Sequence, residues 1–252
     1  MSVHPLFRNM PGKQGPSRPT LSAQLVAEVR QALFEKRLKP GDFLGGEQDI
    51  ADQRGVSRMV ARDALRTLEA LGIVEIKVGS GGGARIARGD PHRFAEALAV
   101  QLELTGVDVA EIMDAQRAVE TLAAELAAEH ATKADIMRLK ALLEAGDKAI
   151  GEVAAFTQNG AEFHLAVAEA SHNRVLAVQL QSLQHVSWPS RNPTLTREVA
   201  LHVQSAHRDL VKLIELHDPS AARRLMDDHV KMIRARRVAE HGTDDAVINA
   251  CC

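Results

Sequence analysis

One stretch constrains the chain more than any other: Gly45 to Arg85, GGEQDIADQRGVSRMVARDALRTLEALGIVEIKVGSGGGAR. It opens on a short amphipathic segment in which Ile50 and Ala51 lie among Glu47, Gln48, Asp49, Asp52 and Gln53. Arg54-Gly55-Val56 then predicts a tight turn, with Gly55 suited to a left-handed position. Ser57 is a good N-cap for a second helix reaching about Leu71, along which Val60, Ala61, Ala64, Leu65, Leu68 and Leu71 fall at helical spacing. Gly72 stops that helix. Ile73 to Val78 alternates like a strand, Gly79 to Gly83 turns, and Ala84 to Ala87 returns. Two helices about a tight turn form a helix-turn-helix, and a hairpin directly after the second helix is a wing. The second helix of such a unit can lie in the major groove of DNA.

The charge distribution agrees. The chain of 252 residues carries a formal charge of −2, which by itself says nothing of nucleic acid. Residues 1–88, however, hold 14 Lys and Arg against 9 Asp and Glu, and the remainder holds 17 against 24. A basic head on an acidic body fits phosphate contact by the head alone. Within the head, Pro5, Pro11, Pro16, Pro19, Gly12 and Gly15 predict a flexible arm over 1–19. Arg8, Lys13 and Arg18 in that arm could track phosphates. A first helix is expected from Thr20 to Lys39, ended by Pro40-Gly41.

After the wing, Gly89-Asp90-Pro91 breaks the chain, and Pro91 suits the first position of a new helix. Apolar residues make up 45 % of the chain but aromatics only 3 %, so its core must be mostly Leu, Ala, Val and Ile, which favours helices. Breaks at Thr105-Gly106, Ala131-Thr132, Gly146, Gly151, Ser171-His172-Asn173, Pro189 to Pro193 and Asp218-Pro219 leave seven helical stretches. These are about 91–104, 108–130, 133–149, 151–170, 173–187, 195–216 and 219–241. The expected architecture is mainly α: a winged helix-turn-helix over 20–88, an all-α antiparallel bundle over 89–241, and a flexible tail over 242–252. No run approaches the roughly 18 apolar residues of a membrane span. The N-terminus has no apolar signal-peptide core, and Cys251-Cys252 forms no disulfide framework, so the chain reads as cytoplasmic.

Chemistry singles out a few residues. Arg58 opens the second helix and Arg62 lies one turn later on the same face; arginine matches guanine O6 and N7 with two parallel hydrogen bonds. Ser57 could bond a phosphate while capping the helix, and Gly79 and Ser80 could approach the minor groove or backbone. In the body, His207 and His229 are equidistant from the Asp218-Pro219 turn. In an antiparallel helical hairpin, residues about 11 positions on either side of the turn sit at one level, about 16 Å from it. Their imidazoles can therefore face each other. His164, flanked by Leu165, Val167 and Ala168, is expected near the interior. His130, His172, His185, His202 and His217 read as surface or structural, and Trp188 as a packing anchor or lid element.

The head resembles the DNA-binding domain of the GntR superfamily of bacterial transcription regulators. The resemblance rests on Glu47, Val56-Ser57-Arg58, Arg62-Asp63-Ala64-Leu65, Leu68, Gly72 and Gly79-Ser80-Gly81. The sequence departs from the family pattern at Gly45-Gly46, which replaces Pro-Ser, at Val60-Ala61, which replaces Thr-Val, and at Asp63, which replaces Glu. By this resemblance Arg58 and Arg62 match positions that contact DNA. Gln48 stands where FadR-like members often carry a DNA-contacting arginine. Residues 91–241 resemble the FCD ligand domain of FadR-like members through Arg117-x-x-Glu120, Phe163-His164, Ala170 to Asn173, His207-Arg208 and Ala221 through His229. That implies a divalent metal such as zinc, nickel or manganese on His164, His207 and His229, with Arg117 and Glu120 at a small carboxylate effector. The family's fourth ligand, an aspartate, falls on Gly160 here. Either water or effector completes a three-histidine site, or metal is held weakly or not at all.

The resemblance implies a ligand-responsive regulator, a repressor in the usual mode, that binds a palindromic double-stranded operator as a homodimer with no membrane partner. Two other readings stay open from the residues: a metal-dependent enzyme with an appended DNA-binding head, and a constitutive DNA-binding protein. Against the enzyme, there is no H-E-x-x-H metalloprotease motif, no G-x-S-x-G and no phosphate-binding glycine loop.

Overall fold

The structure, a computed structural model, describes residues 19–79, 82–187 and 195–249. Trp188, Pro189 to Pro193, Ser80, the arm to Arg18, and Cys251 and Cys252 lie outside the described residues. The chain divides into two compact units, Met1–Asp90 and Pro91–Cys252. No described helix is long and apolar enough to cross a membrane.

The first unit holds α1 (Leu21–Phe34), β1 (Phe43–Gly45), α2 (Glu47–Arg54), α3 (Arg58–Ala70), β2 (Val74–Lys77) and β3 (Gly83–Ile86). Leu25, Val26, Leu65, Leu68, Val74 and Ile86 form one core beneath the helices and the sheet. Gly55 ends α2 with φ 63°, and Ser57 caps α3 by accepting from the Val60 amide, so the turn between the two helices is built from these two residues. At its far end α3 closes in a Schellman turn, with Gly72 at φ 68° and the Ile73 amide bonded to the Leu68 carbonyl.

Two details differ from expectation. The first helix ends at Phe34 rather than Lys39. Lys36 takes the left-handed position at φ 58°, and the Arg37 amide returns to the Ala32 carbonyl at 2.8 Å. The turn lets Leu38 fold back onto the core, and that packing offsets the cost of a non-glycine residue at positive φ. The wing is also more than a hairpin. β1 adds a third antiparallel strand, giving the order β1-β3-β2, with Val74 opposite Ile86 and Phe43 opposite Arg85. The Phe43 ring sits over Gly83 so closely that a Cβ there would meet it at 2.7 Å, and the Arg85 guanidinium lies 4.8 Å from the ring centre.

The second unit is helical throughout its described residues: α4 (Pro91–Thr105), α5 (Val109–His130), α6 (Lys133–Ala149), α7 (Val153–Ala170), α8 (Arg174–Ser187), α9 (Arg197–Glu215) and α10 (Pro219–Asn249). Capping boxes set two of the starts, Asp108 with Glu111 for α5 and Thr132 with Asp135 for α6. α5 packs against α7, α8, α9 and α10. Small residues make this possible, since Ala124, Ala127 and Ala128 are fully buried and let neighbouring helices approach. Met113, Leu139, Phe163, Val167, Leu210, Ile214 and Met226 complete the main core.

The expected stretch 133–149 matches α6, but one expected break and one boundary depart from the sequence reading. Gly146 does not break its helix. It lies inside α6, where an added Cβ would meet Asn159 at 2.6 Å and Gln204 at 2.8 Å, so the glycine makes room for the buried Gln204 and the half-buried Asn159. α10 continues to Asn249, beyond the expected end at 241.

Candidate functional sites

In the first unit the side chains proposed to read DNA share one exposed face. Arg58 begins α3, Arg62 follows one turn later, and Ser57 precedes them. Both arginines bond Glu47, the first residue of α2. Arg62 donates from Nε to Oε1 at 2.8 Å and from Nη2 to Oε2 at 2.9 Å, while Arg58 donates only from Nε, to Oε2 at 3.0 Å. The Arg62 hydrogen bond, with the second from Arg58, holds the Glu47 carboxyl at about 2. Gln48 points along its own helix, donating to Asp52 at 2.8 Å. Gly79 is exposed at φ 115° at the edge of the wing turn. Sequence reasoning named Glu47 only through resemblance and missed that it joins both arginines. The signal was available: Glu47 opens one helix of the motif and the arginines open the other.

In the second unit three buried imidazoles meet. His164 comes from α7, His207 from α9 and His229 from α10, and one nitrogen of each lies within 4.8 Å of the others. His207 Nε2 is 3.2 Å from His229 Nε2, which is 3.3 Å from His164 Nε2. The Phe163 ring stacks on His207 with centres 4.1 Å apart and planes at 15°. Glu120, on α5 and almost wholly buried, bonds the other nitrogen of His164 and accepts from Gln116 at 2.5 Å.

Electrostatics favour lone pairs at the centre. Burial, then the neighbouring His164 and His229, holds His207 well below the ordinary imidazole value. Burial, then His164, brings His229 down to about 3. Burial opposes ionisation of Glu120, but the charge and hydrogen bond of His164 outweigh it and leave its carboxyl below the usual range. An ionised carboxylate can only accept, so Glu120 keeps a proton on His164 Nδ1 and turns Nε2 toward the other two rings.

The donor set fits a divalent ion of the zinc kind. Nitrogens bound at about 2.0 to 2.1 Å in tetrahedral geometry stand about 3.3 Å apart, close to the 3.2 and 3.3 Å separations here. A carboxylate behind a ligating histidine is the usual supporting partner of such a site. His229 Nδ1, the ring nitrogen turned away from this meeting point, is buried without a hydrogen-bond partner, and an ion among the three Nε2 atoms would not satisfy it. One turn before His164, Gly160 faces open space, with no atom within 4 Å of where its Cβ would be. Asn159 and Glu162 are engaged elsewhere: Asn159 donates to the Leu142 carbonyl at 3.1 Å, and Glu162 accepts from Gln158 at 2.8 Å.

Arg117 does not pair with Glu120. Its Nε donates to Asp227 on α10 at 2.5 Å, and Glu120 is given over to His164 and Gln116. Asp227, two residues before His229, was missed by the sequence reading. Its carboxyl is drawn down to about 2 by Arg117 and then Lys231. Among the other histidines, His172 and His217 end α7 and α9 in left-handed positions at φ 53° and 55°. His217 also bonds the Ala128 carbonyl at 2.8 Å, and His172 bonds Asp135 at 3.0 Å.

A winged helix-turn-helix joined to an all-α bundle defines a DNA-binding regulator, and the comparisons agree. Residues 21–83 match the bacterial regulatory proteins of the gntR family, and residues 111–232 match the FCD domain. The chain is 31 % identical over 242 residues to the Exu regulon transcriptional regulator of Escherichia coli, covering 91 % of this chain and 89 % of that one. It is 37 % identical over 155 residues to the HTH-type transcriptional regulator LutR of Bacillus subtilis, covering 60 % and 66 %. In fold it resembles a solved Streptococcus agalactiae GntR protein, with TM-score 0.60, 23 % identity, and coverage of 85 % and 99 %. The chain belongs to the GntR family of bacterial regulators, in the branch that carries an FCD domain. It is a DNA-binding transcriptional regulator and not an enzyme.

Proposed function

We propose that this regulator binds a palindromic operator as a homodimer, represses from it, and releases it when a small organic acid binds at a metal held by His164, His207 and His229. The convergence of three buried imidazole nitrogens from three helices carries the sensor reading. A divalent ion there supplies a Lewis-acidic centre for a carboxylate. The chain's own part is to keep His207 and His229 neutral by burial, to orient His164 through Glu120, and to leave the Gly160 side open to an incoming ligand. The dimer follows from geometry: one winged helix reads one half-site, and two-fold symmetry matches a palindrome. In DNA reading, Ser57 and Arg58 at the start of α3 and Gly79 in the wing are assigned to contact DNA, with Arg62 held beside Arg58 by Glu47. Arg117, tied to Asp227 by one nitrogen, is assigned to the acid through its remaining N–H groups.

The test is thermal unfolding of metal-stripped protein with zinc, nickel or manganese, then with a panel of small carboxylic acids. A ligand that binds only the folded state adds about 2.7 kcal/mol at a hundredfold excess over its Kd. Stabilisation by metal that disappears in His207→Ala, with a further rise from one acid, is the expected result. Absence of any shift would leave the bundle without a sensing role.

A further inference from the structure

Glu47 is placed to do more than hold two helices together. It is the first residue of α2, yet the capping of that helix is done by Asp49, whose Oδ2 accepts from the Gly46 amide at 2.8 Å. Glu47 is thereby left to the arginines, and its side chain is 29 % exposed, against 62 % for Arg58 and 45 % for Arg62. It treats them unequally. Arg62 gives it two N–H groups, from Nε and Nη2, so its fork is committed to the carboxylate. Arg58 gives only Nε, and its two terminal nitrogens make no hydrogen bond among the described residues.

We propose that Glu47 is a positioning residue that sets operator specificity: it locks Arg62 as a strut and presents the terminal nitrogens of Arg58 to a guanine. This rests on reading α3 as the recognition helix. Two consequences follow from elementary physics. A free arginine loses rotamer entropy when it docks on a base, and Glu47 imposes that order beforehand. A carboxylate beside the groove also repels phosphate. It therefore weakens binding wherever the arginine cannot reach a matching guanine, which is discrimination by penalty against the wrong sequence.

The experiment measures binding of the full chain to two duplexes by fluorescence anisotropy across a range of KCl concentrations. One duplex is recovered from a random library with the wild-type protein and the other is its scrambled counterpart. Circular dichroism shows that each variant is folded. Glu47→Gln is expected to bind the scrambled duplex several-fold more tightly, to lose about tenfold in the ratio of selected to scrambled affinity, and to steepen the salt slope by up to about one unit per half-site. Glu47→Asp keeps the charge but is too short to span both arginines, so it should keep the wild-type salt slope and still lose discrimination. Arg58→Lys should relax the preference at one base pair per half-site, by about tenfold. Arg62→Lys should lower the ratio without erasing that preference. Equal losses on both duplexes with an unchanged slope in Glu47→Gln would overturn the proposal, as would loss of the base preference in Arg62→Lys and its retention in Arg58→Lys. If neither arginine variant changes the ratio, the assignment of α3 as the reading helix fails instead.

Discussion

Glu47 in the winged helix and Glu120 in the bundle are both acceptors for the nitrogen-bearing side chains on which the proposed functions depend, but they work in different solvents. Glu47 meets two arginines at the surface, where ion pairs are screened, so its hold on Arg62 rests on two parallel hydrogen bonds rather than on burial, and the terminal nitrogens of Arg58 stay open to solvent. Glu120 meets His164 in the interior, where a polar group must keep its partner or cost stability. The outer carboxylate organises cations that stay charged. The inner one orients a ring whose neighbours His207 and His229 are kept neutral by burial, as a metal requires. Placement relative to water, more than residue type, separates a carboxylate that arranges exposed cations from one that orients a buried imidazole.

The comparison breaks most visibly at the histidines. His229→Ala removes a ligand, and the metal-induced rise in unfolding temperature should vanish, an effect worth about 2.7 kcal/mol at a hundredfold excess of metal over Kd. Differential scanning fluorimetry checks this. Next is Glu120→Gln, which leaves the three rings in place but removes the charge that fixes His164. Metal affinity measured by competition with a chromophoric chelator should fall about 10- to 100-fold. A fall as small as that of an exposed carboxylate variant would show that Glu120 only packs.

Gly160→Asp sharpens the picture in the other direction. The open space beside Gly160 admits a carboxylate one helical turn from His164, so metal should bind about tenfold tighter, a gain of about 1.4 kcal/mol. An added carboxylic acid should then stabilise the protein less than it does the wild type, since the new side chain takes its place. The smallest effect belongs to Glu47. Its folded value of about 2 lies below the ordinary 4.5, so the unfolded chain takes up its proton first as pH falls. Its stabilising contribution is complete above pH about 4.5 and is lost as pH falls through about 2. Acid titration followed by circular dichroism should place the midpoint of Glu47→Gln slightly above that of the wild type.

Much of this was legible in the sequence because it depends on neighbours in the chain. Gly55, Ser57 and Gly72 mark the two helices of the motif locally. The bundle helices begin and end near their turn residues, and counting outward from Asp218-Pro219 set His207 opposite His229. What was not legible depends on distant partners or on exceptions to local preference. β1 is three residues with no alternation to reveal it, and it exists because β3 offers an edge. Lys36 takes a position that usually signals glycine, so the end of α1 was misplaced. Arg117 finds Asp227 across 110 residues, and no spacing rule distinguishes that partner from Glu120 one turn away.

The account stands or falls on the response of DNA binding to the bundle ligand. The direct measurement is the affinity of metal-loaded protein for a selected operator duplex, with and without each member of a panel of small carboxylic acids, repeated in His229→Ala. The account predicts that at least one acid weakens operator binding by about fivefold or more, a coupling of about 1 kcal/mol, and that the variant does not respond. Operator affinity unmoved by every acid, or moved equally in the variant, would contradict it.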